Sequence, residues 1–197
     1  MAAAIDCFAH HGYQGTSIDR IARAAGVTKG ALYYHFRDKE DLLFEAVKNR
    51  IGDFEHHVLQ EVSSDEDALT SLRRVLDACL LTATESNHRR FIITLMVEAL
   101  DTNPGLSGVF RLVLRRMRAF LVELIERGQA AGTMRSTADA EEVARLIVAT
   151  IVGAEIQHYQ DPDEVDLRAV LDAHFRQLAE WLTTDDHEPA RRGERVW

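Results

Sequence analysis

The sequence predicts an all-α fold, and three observations lead there. Its 197 residues include only three prolines. Apolar residues recur at three- and four-residue intervals through long runs, which is the spacing of one helix face. No segment alternates apolar and polar residues around an Asn-Gly turn, as a hairpin would. Apolar residues make up 46% and charged residues 28% of the chain, an ordinary globular balance. The length allows one compact domain or a small domain joined to a larger one.

Helix punctuation divides the chain in order. Residues 2–10 read as a first helix stopped by Gly12. Thr16 and Ser17 offer N-caps to a second helix that runs to about Ala25 and ends at Gly26. Thr28 caps a short third helix through Phe36. Asp38 caps a fourth, with Glu40 and Asp41 in the first turn, where the helix dipole favours acids. Longer amphipathic helices follow at about 65–86, 88–101, 104–130, 139–159 and 164–183, with Asn103-Pro104 as a capped start and Gly132 as a stop. Residues 185–197 are polar and aperiodic, so they read as a tail.

Charge excludes some functions and leaves others. The net charge is −9, unfavourable for a phosphate-rich partner, but it is unevenly spread. Residues 1–50 hold seven Lys/Arg and six Asp/Glu, so they sum to +1 and the remainder to −10. Cys7 and Cys79 are isolated thiols without metal-ligand spacing, which removes zinc and disulfide frameworks and suits a reducing, cytoplasmic setting. The start "MAAAIDCFAHHGY" carries Asp6 within its apolar stretch and no basic leader, so neither a secretory signal nor a membrane span is expected.

The segment "TSIDRIARAAGVTKGALYYHF" has the form of two helices joined by a tight glycine turn, a helix-turn-helix. Ala22 lies four residues before Gly26, where a crossing helix needs a small side chain. Val27 and Leu32 are expected to pack across the elbow. On a wheel of 100° per residue with Leu32 at zero, Phe36 at about 40° and Thr28 at about −40° define the buried side. Gly30 near 160° and Tyr34 near 200° face away, flanked by Tyr33 and Ala31, and His35 falls at the boundary. Water does not call for such a face; a DNA groove does. Gly30 admits close backbone approach, Ala31 suits a thymine methyl, and tyrosine hydroxyls suit phosphates. Lys29 and Lys39 add charge, and Thr16 and Ser17 open a helix whose free N–H groups favour phosphate.

"TSIDRIARAAGVTKGALYYHFRDKEDLLFEAV" resembles the second to fourth helices of TetR-type transcriptional regulators, and "CFAHHGYQGTS" resembles the end of their first helix. The resemblance implies an N-terminal DNA-binding domain at 1–46 and an effector-binding and dimerisation domain at 47–184. It also implies a homodimer on a palindromic double-stranded DNA operator, released by a small apolar or amphipathic effector. By position it implies DNA contacts from Thr16, Ser17, Thr28, Lys29, Gly30, Ala31, Tyr33, Tyr34, His35 and Lys39. Members usually have a longer, often basic N-terminal extension, whereas Met1 here falls inside the expected first helix. Either the true start lies upstream or this member lacks the arm; a chain without it is expected to bind DNA more weakly and with less salt dependence.

In the remainder, residues 139–159 are apolar almost all round, and such a helix needs cover on more than one side. With the helix after it, it suits a two-fold four-helix interface through Ile147, Ile151, Leu167, Leu171, Phe175, Leu178 and Trp181; the competing reading is a core within one chain. Flexible and aromatic residues in the middle helices, Phe91, Leu95, Met96, Phe110, Leu114, Met117 and Phe120, with Cys79, are candidates to line an effector cavity. Glu98, seven after Phe91, is a candidate polar anchor. "VEALDTNPGL" followed by "ERGQAAGTMR" resembles choline-sensing and related repressors, a likeness that does not fix a ligand.

An enzyme would need a nucleophile with its base, a phosphate loop or a metal cluster, and the sequence offers none; no cofactor is expected. The nine histidines are scattered, and His-Glu-x-x-His spacing is missing. A helical interaction module without DNA is the other class to weigh, and it leaves the outward Gly30 and Tyr34 unexplained.

Overall fold

The computed structural model describes residues 1–62, 66–85 and 87–183. Among the described residues there are nine helices and no strand: α1 Ala2–Gly15, α2 Ile18–Ala25, α3 Lys29–His35, α4 Lys39–Glu61, α5 Ala68–Glu85, α6 Asn87–Thr102, α7 Pro104–Ala130, α8 Ala140–Gln160 and α9 Leu167–Thr183. The expected tail at 185–197 lies outside the described residues. None of the helices is long and apolar enough to cross a membrane.

Caps account for where most helices begin. Ser17, Thr28, Asp38, Asn103 and Asp139 each accept a backbone N–H from three residues on. α5 begins at Ala68, later than the spacing suggested, because the Asp67 carboxylate accepts from the N–H groups of Leu69 and Thr70 at 3.1 and 3.0 Å. α9 likewise starts at Leu167, where Asp166 accepts from the Ala169 N–H at 3.2 Å. α1 does not stop at Gly12. Gly12 takes a left-handed φ of 65° and kinks the helix, which resumes for one short turn to Gly15.

Two apolar clusters hold the chain. One joins α5, the C-terminal half of α7, α8 and α9, with Leu72, Leu76, Leu121, Ile125, Ile147 and Ile151 fully enclosed. The other joins α1, α2 and α4 to α6 and the start of α7. In it Ile5, Phe8, Leu42 and Leu43 meet Phe91, Leu95, Leu106 and Phe110. Rings of Phe8 and Phe91 stack with centroids 6.2 Å apart. The N-terminal helices therefore complete their core with residues from beyond position 90, so α6 is built into both halves of the molecule.

Five of the seven residues expected on a dimer face are placed elsewhere, while Trp181 stays exposed. Ile147, Ile151, Leu167, Leu171 and Leu178 are buried inside this chain's own core. Phe175 is half-buried beneath the Arg73 guanidinium, 5.4 Å from its ring. A helix apolar all round spends its strongest stripe on intrachain packing, and the weaker stripe is left outside. On α8 and α9 that outer stripe carries Leu146, 49% exposed, Val170, 36%, and Trp181, 39%.

Candidate nucleic-acid interface

The elbow between α2 and α3 turns on Gly26, whose φ of 66° is left-handed. Its N–H and that of Val27 donate back to Arg23 and Ala22 at 3.2 and 3.0 Å, closing α2. Ala22 is buried, as close crossing requires. Val27 differs from the expectation of an elbow contact: its side chain is exposed, and only its backbone serves the turn. Thr28 is exposed as well, its hydroxyl accepting from the Ala31 N–H at 3.1 Å.

α3 leans on the N-terminal cluster through half-buried Leu32 and Phe36. Its other side is open. Tyr34 is 86% exposed, Tyr33 49%, and Lys29, Gly30, Ala31 and His35 are also exposed. The His35 ring meets Tyr34 edge-on, centroids 5.1 Å apart. Lys29 pairs with Asp19 of α2 at 3.0 Å, which raises the ammonium pKa chiefly through that hydrogen bond and pins the start of α3 to α2. At the start of α4, Arg37 donates to Asp41 from both its backbone and its guanidinium. Those bonds hold the Asp41 carboxyl below its ordinary range.

Two expected contacts have different places. Thr16 is only 2% exposed, and its hydroxyl is shared between the carbonyls of Gly12 at 2.7 Å and Cys7 at 3.0 Å. It bridges the kink in α1, so the side chain is not available to a phosphate, whereas neighbouring Ser17 is exposed. Lys39 is half-buried. Its ammonium donates to the carbonyls of Tyr13 at 2.8 Å and Thr16 at 3.0 Å and lies 4.1 Å over the Tyr13 ring. Spacing marks a lysine at a helix start as a phosphate donor, but an open helix end one loop away competes for the same charge.

The effector candidates are not brought together. Phe91, Leu95, Phe110 and half-buried Met96 belong to the N-terminal cluster, while Cys79, Leu114, Met117 and Phe120 pack in the other. Glu98 is half-buried on α6. An open groove of about 560 Å³ lies elsewhere, between α5 and α9, lined by Arg73, Arg74, Leu81, Thr84 and Arg168. Periodicity marks a residue as buried without saying in which cluster. It also missed a buried ion pair: Arg89 of α6 donates to both oxygens of Glu155 on α8 at 2.8 and 3.0 Å. Glu155 sits among apolar neighbours of α8, and that single charge in an apolar run was the available signal.

Comparison with known proteins decides the family. Residues 1–46 match the model for bacterial regulatory proteins of the tetR family, and residues 68–182 match that for the BetI-type transcriptional repressor C-terminal domain. The chain belongs to the TetR family. Among curated relatives, the fatty acid metabolism regulator protein of Bacillus subtilis is 25% identical over 149 residues, 76% of each chain. A TetR transcriptional regulator from Chloroflexus aurantiacus superposes with a TM-score of 0.81 at 27% identity, covering 93% of this chain and 92% of its own. SmeT, the repressor of the Stenotrophomonas maltophilia multidrug efflux pump SmeDEF, shares the fold with a TM-score of 0.78 at 22% identity, covering 94% and 89%. The exposed side of α3 thus lies in the segment, residues 1–46, that matches the tetR-family regulatory model.

Proposed function

We propose that this protein is a cytoplasmic repressor that binds a palindromic operator as a homodimer and releases it when a small apolar or amphipathic effector binds the body. The observation that carries the reading is Tyr34, an 86% exposed aromatic beside Gly30 on the open side of the third helix. An exposed tyrosine next to a glycine costs apolar hydration and helix stability, and a groove contact repays both. Ser17, Lys29, Gly30, Ala31, Tyr33, Tyr34 and His35 form the contact set, with residues 1–46 as the reading unit and 47–184 as the sensing and pairing unit. Pairing uses the outer stripe Leu146, Val170 and Trp181. A two-fold dimer then sets the two α3 helices about 34 Å apart, one major-groove repeat. Effector binding shifts the population toward a spacing that fits the groove poorly, a coupling on the order of 1–3 kcal/mol.

Selection from random duplex pools followed by gel shift tests the reading. Enrichment of a palindrome whose half-sites sit about one helical turn apart supports it. Binding that is blind to sequence, or no retained duplex, rejects it in favour of an interaction module.

A further inference from the structure

Glu155 is the one charged side chain buried among the described residues, 1% exposed in the middle of α8. Both arms of the Arg89 guanidinium close on it, and the Arg89 side chain is 11% exposed. Two more groups from the body lie within the reach of both charges. The Cys79 thiol of α5 is pushed up to about 12 by burial. Tyr159, one turn along α8, donates its hydroxyl to the Ala83 carbonyl at 3.3 Å. The pair sits where α5, α6 and α8 meet. One turn along α6 from Arg89, Ile93 is buried yet belongs to neither apolar cluster. The charges therefore occupy the seam between the two halves of the molecule.

A buried ion pair does not explain itself by stability, because an apolar pair of the same volume does as well or better. The two partners here are also unequal. Glu155 is short, mid-helix and enclosed, so its carboxylate has no route to water. Arg89 is the third residue of α6, with a long stem that can carry its head out to solvent. Burial pushes the Glu155 carboxyl up and the Arg89 guanidinium opposes that, so the carboxylate stays charged through the cation beside it, and the one that fills the place is removable.

We propose that Glu155 is the receptor carboxylate for a cationic amphipathic effector, and that Arg89 is a tethered occupant which the effector's cationic head replaces. The head takes the space of the guanidinium, and the apolar part lies along the seam beside Cys79, Ile93 and the Tyr159 ring. Departure of Arg89 cuts the tie between α6 and α8. α6 carries Phe91 and Leu95 against α1, so the loss is felt in the reading helices. An anionic effector fits the same place badly, since taking Arg89 would strand an enclosed carboxylate.

The inference rests on the effector reading above, and it is tested separately by calorimetric titration of the full chain. The probes are dodecyltrimethylammonium and dodecanoate, each below its micelle threshold. The wild type should bind the ammonium in preference to the carboxylate. Arg89→Gln should bind the ammonium about tenfold more tightly or better, because the competing occupant is gone. Glu155→Gln should lose that binding. Arg89→Lys, which keeps the charge but not the two-pronged hold, should fall between wild type and Arg89→Gln; it serves alone if the glutamine variant does not fold. Dodecanoate binding as tightly as the ammonium overturns the proposal. So do Arg89 variants that bind no tighter than wild type, or Glu155→Gln binding unchanged. If duplex selection yields no operator while this pattern holds, the regulator reading falls and the cation site stands. With an operator found and the pattern absent, the site falls alone.

Discussion

Replacing Thr16 by Val separates two roles for one residue. The side chain keeps its volume and loses only the hydroxyl, which is shared between the Gly12 and Cys7 carbonyls at 2.7 and 3.0 Å in a position 2% exposed. Deleting a buried donor removes a net hydrogen bond of about 1 kcal/mol and leaves a carbonyl short of its partner, for a total of about 1–3 kcal/mol. In a chain of this size each kcal/mol moves the melting temperature by about 2–4 °C, so the expected fall is about 2–12 °C. Thr16→Ser retains the hydroxyl and should lose less than half of that. Thermal melts by circular dichroism read the stability, and gel shift at a temperature where all three forms are folded reads operator affinity. A Thr16→Val protein that melts with the wild type but binds operator poorly would refute the kink-bridge account and restore Thr16 as a DNA contact.

Four further outcomes are expected. Tyr34→Ala should weaken operator binding in gel shift while stability stays within about 0.5 kcal/mol, because the ring touches little of its own chain. Gly26→Ala should cost about 1–2 kcal/mol in urea denaturation, since a side chain at a φ of 66° is strained even though nothing lies within 4 Å of the added atom. Leu146→Glu should shift the sedimenting species from dimer to monomer with little loss of helicity, whereas Ile147→Glu should unfold the body. His174 is half-buried and its Nε2 has no partner; burial lowers its pKa below the ordinary 6.5. The unfolded chain then binds more protons, so stability is full above about pH 6.5 and is lost as pH falls through that value toward the folded pKa. His174→Leu should flatten the fall in urea midpoint between about pH 7.5 and 5.5.

The helices were legible because their signals are local. Asp38 and Asn103 cap where their residue types said they would, and Gly26 turns where an apolar period breaks. The outward direction of Tyr34 was legible for the same reason, since a wheel needs only one helix. What failed was non-local. Thr16 looks like an N-cap until the Gly12 kink brings two carbonyls to its hydroxyl, and a positive φ in mid-helix is invisible to spacing. Ile147 and Leu146 are adjacent and equally apolar, and only the packing of α8 on α5 and α7 decides which one is enclosed. Arg89 and Glu155 are 66 residues apart, so nothing in either neighbourhood names the other.

The corrected places of Thr16 and Lys39 bear on how a signal crosses the molecule. α6 packs Phe91 and Leu95 into the same cluster as Ile5 and Phe8 of α1, and close-packed interiors shift as blocks rather than deform. α1 is in turn fastened at its far end. Thr16 locks the kink just before α2, and Lys39 clamps the carbonyls of Tyr13 and Thr16 to the first turn of α4. α2 carries α3 through the Gly26 elbow and the Asp19–Lys29 pair. On the proposed mechanism, a displacement of α6 would therefore be delivered to α3 with the α1–α2–α4 frame intact. The two residues whose type and position suggested phosphate contacts are the fasteners of that frame. Their polarity is spent on making the reading helices move as one body.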